Sequence, residues 1–532
     1  MSKQYTHKHG REQFFIEGEG FTPAVLPSPR LREMAPAAIS MMEAAAPPPP
    51  DEDRPFRFCR MIRREKFQPD DAGLIALGQA LLDPFVPGVG NSEIPGGFTY
   101  LGQFVDHDIT FDKTEGIPDG QLDPTEIANG RTPALELDNV YGRGPEASPE
   151  LYDADKIHLK IGTTSGRAIF GITQTFPNDL PRQALIDPDP KRALIGDKRN
   201  DENLIVAQTH LVFLKFHNKV VDRLKTQGTA ANKLFDDARK TVVQHYQSIV
   251  LHDFVPRLIE PSALAAVMTG KRKKFFPDGF KNGERACMPV EFSVAAYRLG
   301  HSMIRGAYQW NKVFSSTGLA GFVPSLSLFF EFSKGANVSD LGGEPTLPSD
   351  WIVDWRRMYD FSEHAGGVRH PQLNFTKLID TKLADTLQTL PEFANAEQAH
   401  LKSLASRNLL RGRLVGLPTG QDVADELGLP VLAPGDIASG SEAPVVLAQG
   451  FDKKTPLWHY ILKEAEVQQG GGRLGAVGSF LVAETFHGLI EASDHSILKE
   501  NDWKPTLPAN DPKKFTMLDL LKFVDEINPL GD

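Results

Sequence analysis

Two cysteines in 532 residues, Cys59 and Cys287, are too few for a disulfide framework, and neither sits in a Cys-x-x-Cys pair. That scarcity excludes a small secreted scaffold held by bridges and leads us to expect no disulfide. No apolar run approaches the roughly 18 residues that a membrane helix requires, so no bilayer span is expected. A basic surplus is missing too. Lys and Arg number 58 against 69 Asp and Glu, a net charge of -11, which works against wholesale phosphate binding and makes nucleic acid a poor partner. The first residues, MSKQYTHKHGREQFF, lack the basic and then apolar pattern of a secretory signal. A reducing cytoplasmic setting is therefore the default, with non-classical export left open. No internal repeat at a period of about 20 to 50 residues is visible.

What is present is an ordinary globular composition, 40% hydrophobic and 24% charged, on a chain long enough for more than one core. Residues 1–54 read as an N-terminal extension in which four consecutive prolines form a spacer, and residues 55–532 as the main body. Almost every strong periodic pattern in that body is helical: a segment from Asp71, a long one after Asn200, another at about Asn232 to Leu258, and three near the C-terminus. The segment PVEFSVAAYRLGHSMIRGAYQWN also reads as a helix, with Arg298 and His301 on one face. Residues 315–375, rich in Gly, Pro and Phe, read as irregular cover. The expected class is mostly α, with long irregular loops and little strand.

The stretch YLGQFVDHDITF, Tyr100 to Phe111, organises the rest. On a helix its Gln103, Asp106, His107 and Thr110 fall within a wedge of about 100°, flanked by Leu101, Phe104, Val105 and Ile109. An exposed polar face with a stray histidine is one reading; the other is a lined cavity, because buried polar groups need a partner or a ligand. Asp108 lies about 100° round from His107 and serves a different neighbourhood. After this helix comes a turn-rich loop with oxygen donors at Thr132, Glu136 and Asp138 that could hold a hard cation. Glu202 opens the long helix, where stabilising the helix N-terminus is its alternative role.

Other constellations fail. Gly470, Gly472 and Gly475 match a dinucleotide fingerprint, but a helix rather than a strand precedes them. Glu484 and His487 give one Glu-x-x-His pair where a di-iron bundle needs two. Two histidines on separate helices remain, His107 and His301, each flanked by residues suited to haem.

The motifs GQFVDHD, RNDENL, YRLGH and RNLLRGRLVGLP occur in the order and rough spacing of the animal-type haem peroxidases, the superfamily of myeloperoxidase, lactoperoxidase and the cyclooxygenases, which this chain resembles from about Pro55 to Pro505. RTPALELDNVYG and TPLWHYILKEAEV resemble its bacterial peroxidase branch most. The resemblance implies a haem b derivative as cofactor, hydrogen peroxide as oxidant and a small electron donor (halide, thiocyanate or phenol-type) oxidised through a ferryl species. It implies His107 as distal base, Gln103 as its companion and Arg199 as distal cation. His301 would be the iron ligand, Asn408 the acceptor of its other ring proton, and Arg298 and Arg411 haem-binding cations. Asp106 and Glu202 match the carboxylates that form ester bonds to haem in mammalian members. Calcium is implied too, with Asp108, Thr132, Ala134, Glu136 and Asp138 as its ligand set. Asn203 replaces the methionine of the myeloperoxidase sulfonium bond. A fatty-acid dioxygenase of the same superfamily is an alternative, but the tyrosine it needs three residues before the iron ligand is Arg298 here, with Tyr297 one step off. A non-catalytic haem protein is the second alternative.

Overall fold

Phe104, fully buried on the central helix, explains why that helix lies at the heart of the molecule. Its ring stacks on Phe213, centroids 4.6 Å apart, and meets Tyr246 edge-on, joining three helices through one side chain. The computed structural model describes residues 56–83, 90–112, 122–166, 170–187, 191–270, 272–281, 284–333, 341–388, 390 and 399–531. The proposed extension and proline spacer, residues 1–54, lie outside these.

The chain is mostly helical, as expected. The central helix is Gly97–Ile109, the long helix Leu204–Thr226, and its neighbour Leu234–Ile249, which continues through a π turn at Val250–Phe254 to Val255–Leu258. Helices Asp71–Ala80 and Leu404–Leu414 pack against each other; Leu457–Gln469, Ala476–Ala492 and Met517–Val524 close the fold. Strand is scarce among the described residues. The longest is Asn91–Pro95, and a small sheet sets Phe56–Cys59 antiparallel to Ala128–Asn129 and parallel to Met288–Pro289. The described residues among 315–375 form short 3-10 helices and irregular turns, as their composition suggests.

The central helix begins where glycine is required. A Cβ on Gly97 would stand 2.5 Å from the Tyr359 ring and 2.8 Å from the Met358 carbonyl. That closeness lets backbone carbonyls replace a side-chain cap: Gly96 N–H donates to Asn374 O and Gly97 N–H to Met358 O. The segment carrying His301 departs from the regular helix expected. It runs as a π turn, Glu291–Ala295, and then a 3-10 turn, Ala296–His301. With three residues per turn, Arg298 and His301 still share a face. Buried Glu291 anchors its start by accepting the Met61 and Ile62 amides, and Tyr297 ties it to the central helix by donating its hydroxyl to the Gly102 carbonyl at 3.0 Å.

One expectation is overturned. Cys59 and Cys287 form a disulfide across 228 residues of sequence, beside the pairing of Phe58 and Cys59 with Met288 and Pro289. A two-cysteine count argues against a framework of bridges but cannot exclude one bond between positions that folding brings together. Alkylating the denatured, unreduced protein should leave its intact mass unchanged, whereas prior reduction should add two labels, one for each cysteine. Two labels without reduction would contradict the bond.

Candidate active site

Helix Gly97–Ile109, the turn before the long helix, the His301 segment and helix Leu404–Leu414 converge on one cavity of about 1020 Å³. Its walls bring together Gln103, Asp106, His107, Arg199, Glu202, Arg298, His301, Asn408 and Arg411, residues spread over three hundred positions of sequence. The lined-cavity reading of the central wedge is the correct one.

On one wall His107 is 5% exposed, and its Nδ1 lies 2.8 Å from Asn200 Oδ1. Its Nε2 is 3.9 Å from Glu202 Oε1, beyond hydrogen-bond range. Burial, with Arg199 nearby, lowers the His107 pKa from 6.5 to about 4, so the ring is neutral at pH 7. Arg199 is held from behind: Asp197 accepts from Nε at 3.1 Å and from Nη2 at 2.7 Å, and Nη2 also donates to Thr110 O. Burial alone would push the Asp197 carboxyl up, but the Arg131 and Arg199 guanidiniums outweigh it and hold it well below the usual carboxylate range. The Arg199 guanidinium also sits 4.7 Å over the Phe111 ring. Gln103 bridges two neighbours, donating to Glu202 and accepting from Asn203 Nδ2 at 3.0 Å. Glu202 thus faces the cavity, and Asn203 rather than Glu202 caps the long helix by accepting Val206 N–H. Asp106 shares this wall and accepts the Thr110 hydroxyl.

On the other wall His301 Nδ1 lies 2.7 Å from Asn408 Nδ2. The resemblance implied the oxygen of this amide at that place. A half-turn of the amide brings Oδ1 there, so the same contact accepts Nδ1–H and leaves an Nε2 lone pair for a metal. Burial, then Arg298 and Arg407, lowers the His301 pKa to about 3. Arg298 is fixed by donating Nε–H to Ser293 O, and Arg411 pairs with Asp112 at the cavity wall.

These residues fit a haem: two neutral imidazoles in one cavity, cations for propionates and two carboxylates in the wall. The cation loop fits less well. Asp108 accepts the Leu137 and Asp138 amides, and Asp138 accepts the Thr132 amide. Burial, then the neighbouring Asp138, raises the Asp108 pKa well above the usual range. Glu136 leaves the expected set: it is ion-paired to Arg239 at 2.7 Å and accepts from Ser493 and the Asp494 amide. The Thr132 and Ala134 carbonyls accept amides within the loop's own turns. Among the described residues no group of three or more His, Cys, Asp or Glu gathers to hold a metal.

Sequence reasoning missed Asn200 and Asp197, which contact His107 and Arg199, and His210, 2.9 Å from the far end of the Asn200 amide. Asp197 had a local signal, as an Asp opening a short turn two residues before Arg199. Asn200 had none, because its partner His107 lies 93 residues away and nothing in the sequence links it to His210, ten residues on.

A model of the family described as animal haem peroxidase matches residues 107–486, so the chain belongs to that family. The chorion peroxidase of Drosophila melanogaster is 22% identical over 418 residues, 76% of this chain and 47% of its own length. Thyroid peroxidase of Homo sapiens is 26% identical over 344 residues, 61% of this chain and 33% of that protein. The chain thus spans less than half the length of these curated relatives. Among solved structures, peroxidase A from Dictyostelium discoideum superposes with a TM-score of 0.59 at 16% identity, over 90% of this chain and 94% of that one. Oryza sativa fatty acid alpha-dioxygenase gives 0.52 at 14% identity, over 87% and 80%. At these identities the structures establish a shared fold, and a fold that hosts both activities does not choose between them.

The buried imidazoles set an acid limit. His107, His210 and His301 have pKa values of about 4, 3 and 3 in the folded chain against an ordinary 6.5. Below about pH 6.5 the unfolded chain binds protons that the folded chain refuses, so stability falls as pH drops from about 6.5 towards 4. The urea midpoint should be lower at pH 5 than at pH 7. An equal or higher midpoint at pH 5 would contradict the burial of neutral rings.

Proposed function

We propose that the protein is a haem-dependent peroxidase that reduces hydrogen peroxide and oxidises small donors of the halide, thiocyanate or phenol class. The observation carrying this reading is the cavity itself, with neutral His107 and His301 in its walls, each contacted at Nδ1 by an asparagine amide. His301 Nε2 would hold the iron, and Arg298 and Arg411 the haem carboxylates. When bound, the haem supplies the redox chemistry with peroxide. The chain supplies proton handling and charge. His107 Nε2 takes the proton from the inner peroxide oxygen and gives it to the outer one, which a neutral ring with a free lone pair can do. Arg199, oriented by Asp197, stabilises the negative charge that develops on the departing oxygen.

Two features bear on alternatives. The fatty-acid oxygenase reading needs a tyrosine hydroxyl free to abstract hydrogen, and the Tyr297 hydroxyl is committed to the Gly102 carbonyl. The disulfide favours an oxidising compartment over the reducing cytoplasm suggested by the cysteine count.

In stopped-flow mixing of holoprotein with peroxide, His107→Ala should retain haem yet react at least about 100-fold more slowly, the usual worth of general acid–base assistance. A rate like that of wild type would remove His107 from this role.

Asp106 and Glu202 share the cavity wall, and in this reading their carboxylates form the ester links with haem. Acidified organic solvent should extract haem freely from the Asp106→Ala, Glu202→Ala double mutant but incompletely from peroxide-treated wild type. Complete extraction of haem of unmodified mass from treated wild type would show that the carboxylates only line the pocket.

We also propose a calcium ion between Asp108 and Asp138, where it would relieve the repulsion of two buried carboxylates. Metal analysis of purified protein should find about one equivalent, lost on chelation together with some of the haem absorbance. No cation, and no effect of chelator, would contradict a calcium site there.

A further inference from the structure

The distal histidine does not stand alone. Asn200 is fully buried, with Oδ1 2.8 Å from His107 Nδ1 and Nδ2 2.9 Å from Nδ1 of His210, which is also fully buried. We propose that Asn200 and His210 are positioning residues for His107, a relay in which one amide fixes the tautomer and orientation of the distal ring.

An amide has two unlike ends. Oδ1 can only accept and Nδ2 can only donate. With the amide in this orientation His107 Nδ1 carries its proton and His210 Nδ1 does not. Both rings are neutral, so the His107 proton on Nδ1 leaves a lone pair on Nε2, the tautomer a proton acceptor requires. The His210 proton is left on Nε2, which is buried and finds no hydrogen-bond partner among the described residues. Leaving a buried N–H unsatisfied costs roughly as much as a hydrogen bond yields, so a ring kept there needs a compensating task. Orienting Asn200 is such a task. His210 comes from the first half of the long helix and Asn200 from the turn before it, so the lock is built into one stretch of chain. Phe104, on the central helix with His107, packs edge-on against the His210 ring at 5.9 Å. A half-turn of the amide would invert both tautomers together and present an N–H, not a lone pair, from His107 Nε2. His210 is thus a lever on His107 although it does not touch it.

This inference rests on the reading of His107 as the proton acceptor, and its test has one arm that does not. Histidine ¹⁵N spectra of the ferrous, carbon monoxide-bound holoprotein, which is diamagnetic, report the tautomers directly. Wild type and His210→Gln, whose amide oxygen can still accept from Asn200, should show His107 protonated at Nδ1. Asn200→Leu and His210→Phe should show a mixture or the other tautomer. In stopped flow, Asn200→Leu and His210→Phe should react with peroxide, and with hydrogen cyanide, which must also lose a proton on binding, at least about 10-fold more slowly. His210→Gln should recover to within about threefold of wild type. Carbon monoxide binding to the ferrous protein needs no proton transfer and should stay within about twofold in all variants, which separates positioning from general damage to the pocket. An unchanged His107 tautomer in Asn200→Leu, or peroxide and carbon monoxide rates falling together, overturns the proposal. A wild-type protein that ignores peroxide would sink the peroxidase reading, while the spectra would still decide the relay.

Discussion

Burial of two neutral imidazoles across one cavity is the constraint on which the site depends. A histidinium buried there would carry a large desolvation cost, and the guanidiniums beside each ring raise it further. Both rings are therefore kept uncharged, as the proposed roles of proton acceptor and metal ligand require. Each must also be aimed. Asparagine serves twice, contacting His107 from the turn before the long helix and His301 from helix Leu404–Leu414. An amide orients a ring without adding charge, whereas a carboxylate would draw the ring towards its cationic form.

The surrounding fold keeps these four residues in register. Phe104 locks the His107 helix to its neighbours, and the Tyr297 hydroxyl joins that helix to the segment ending at His301. The disulfide and the small sheet hold the start of the His301 segment against Phe56–Cys59. Charge is handled in the same spirit. Asp197 is paired with both Arg131 and Arg199, so the cation in the cavity wall is steered from outside the cavity.

Much of this could be read from the sequence because it was local. The wedge of Gln103, Asp106 and His107 follows from helical periodicity, and the helix found at Gly97–Ile109 overlaps the stretch that defined it. Arg298 and His301 were placed on one face correctly, although the segment is a π and 3-10 turn; a spacing of three survives that change of winding. What the sequence hid was long-range. Glu136 looked like a cation ligand until Arg239, on helix Leu234–Ile249, was found paired with it. Cys59 and Cys287 meet only after folding. Asn200 looked like a residue of a helix-opening turn because its contact with His107 spans 93 residues and no local pattern ties it to His210.

The central claim is that this cavity takes one haem with His301 on the iron. Titration of metal-free protein with haemin, followed by Soret absorbance and electron paramagnetic resonance, tests it directly. The account predicts saturation at one equivalent with a histidine-ligated signal, loss of that signal in His301→Gly, and its return when imidazole is added. Tight stoichiometric binding with an unchanged signal in His301→Gly would contradict the account.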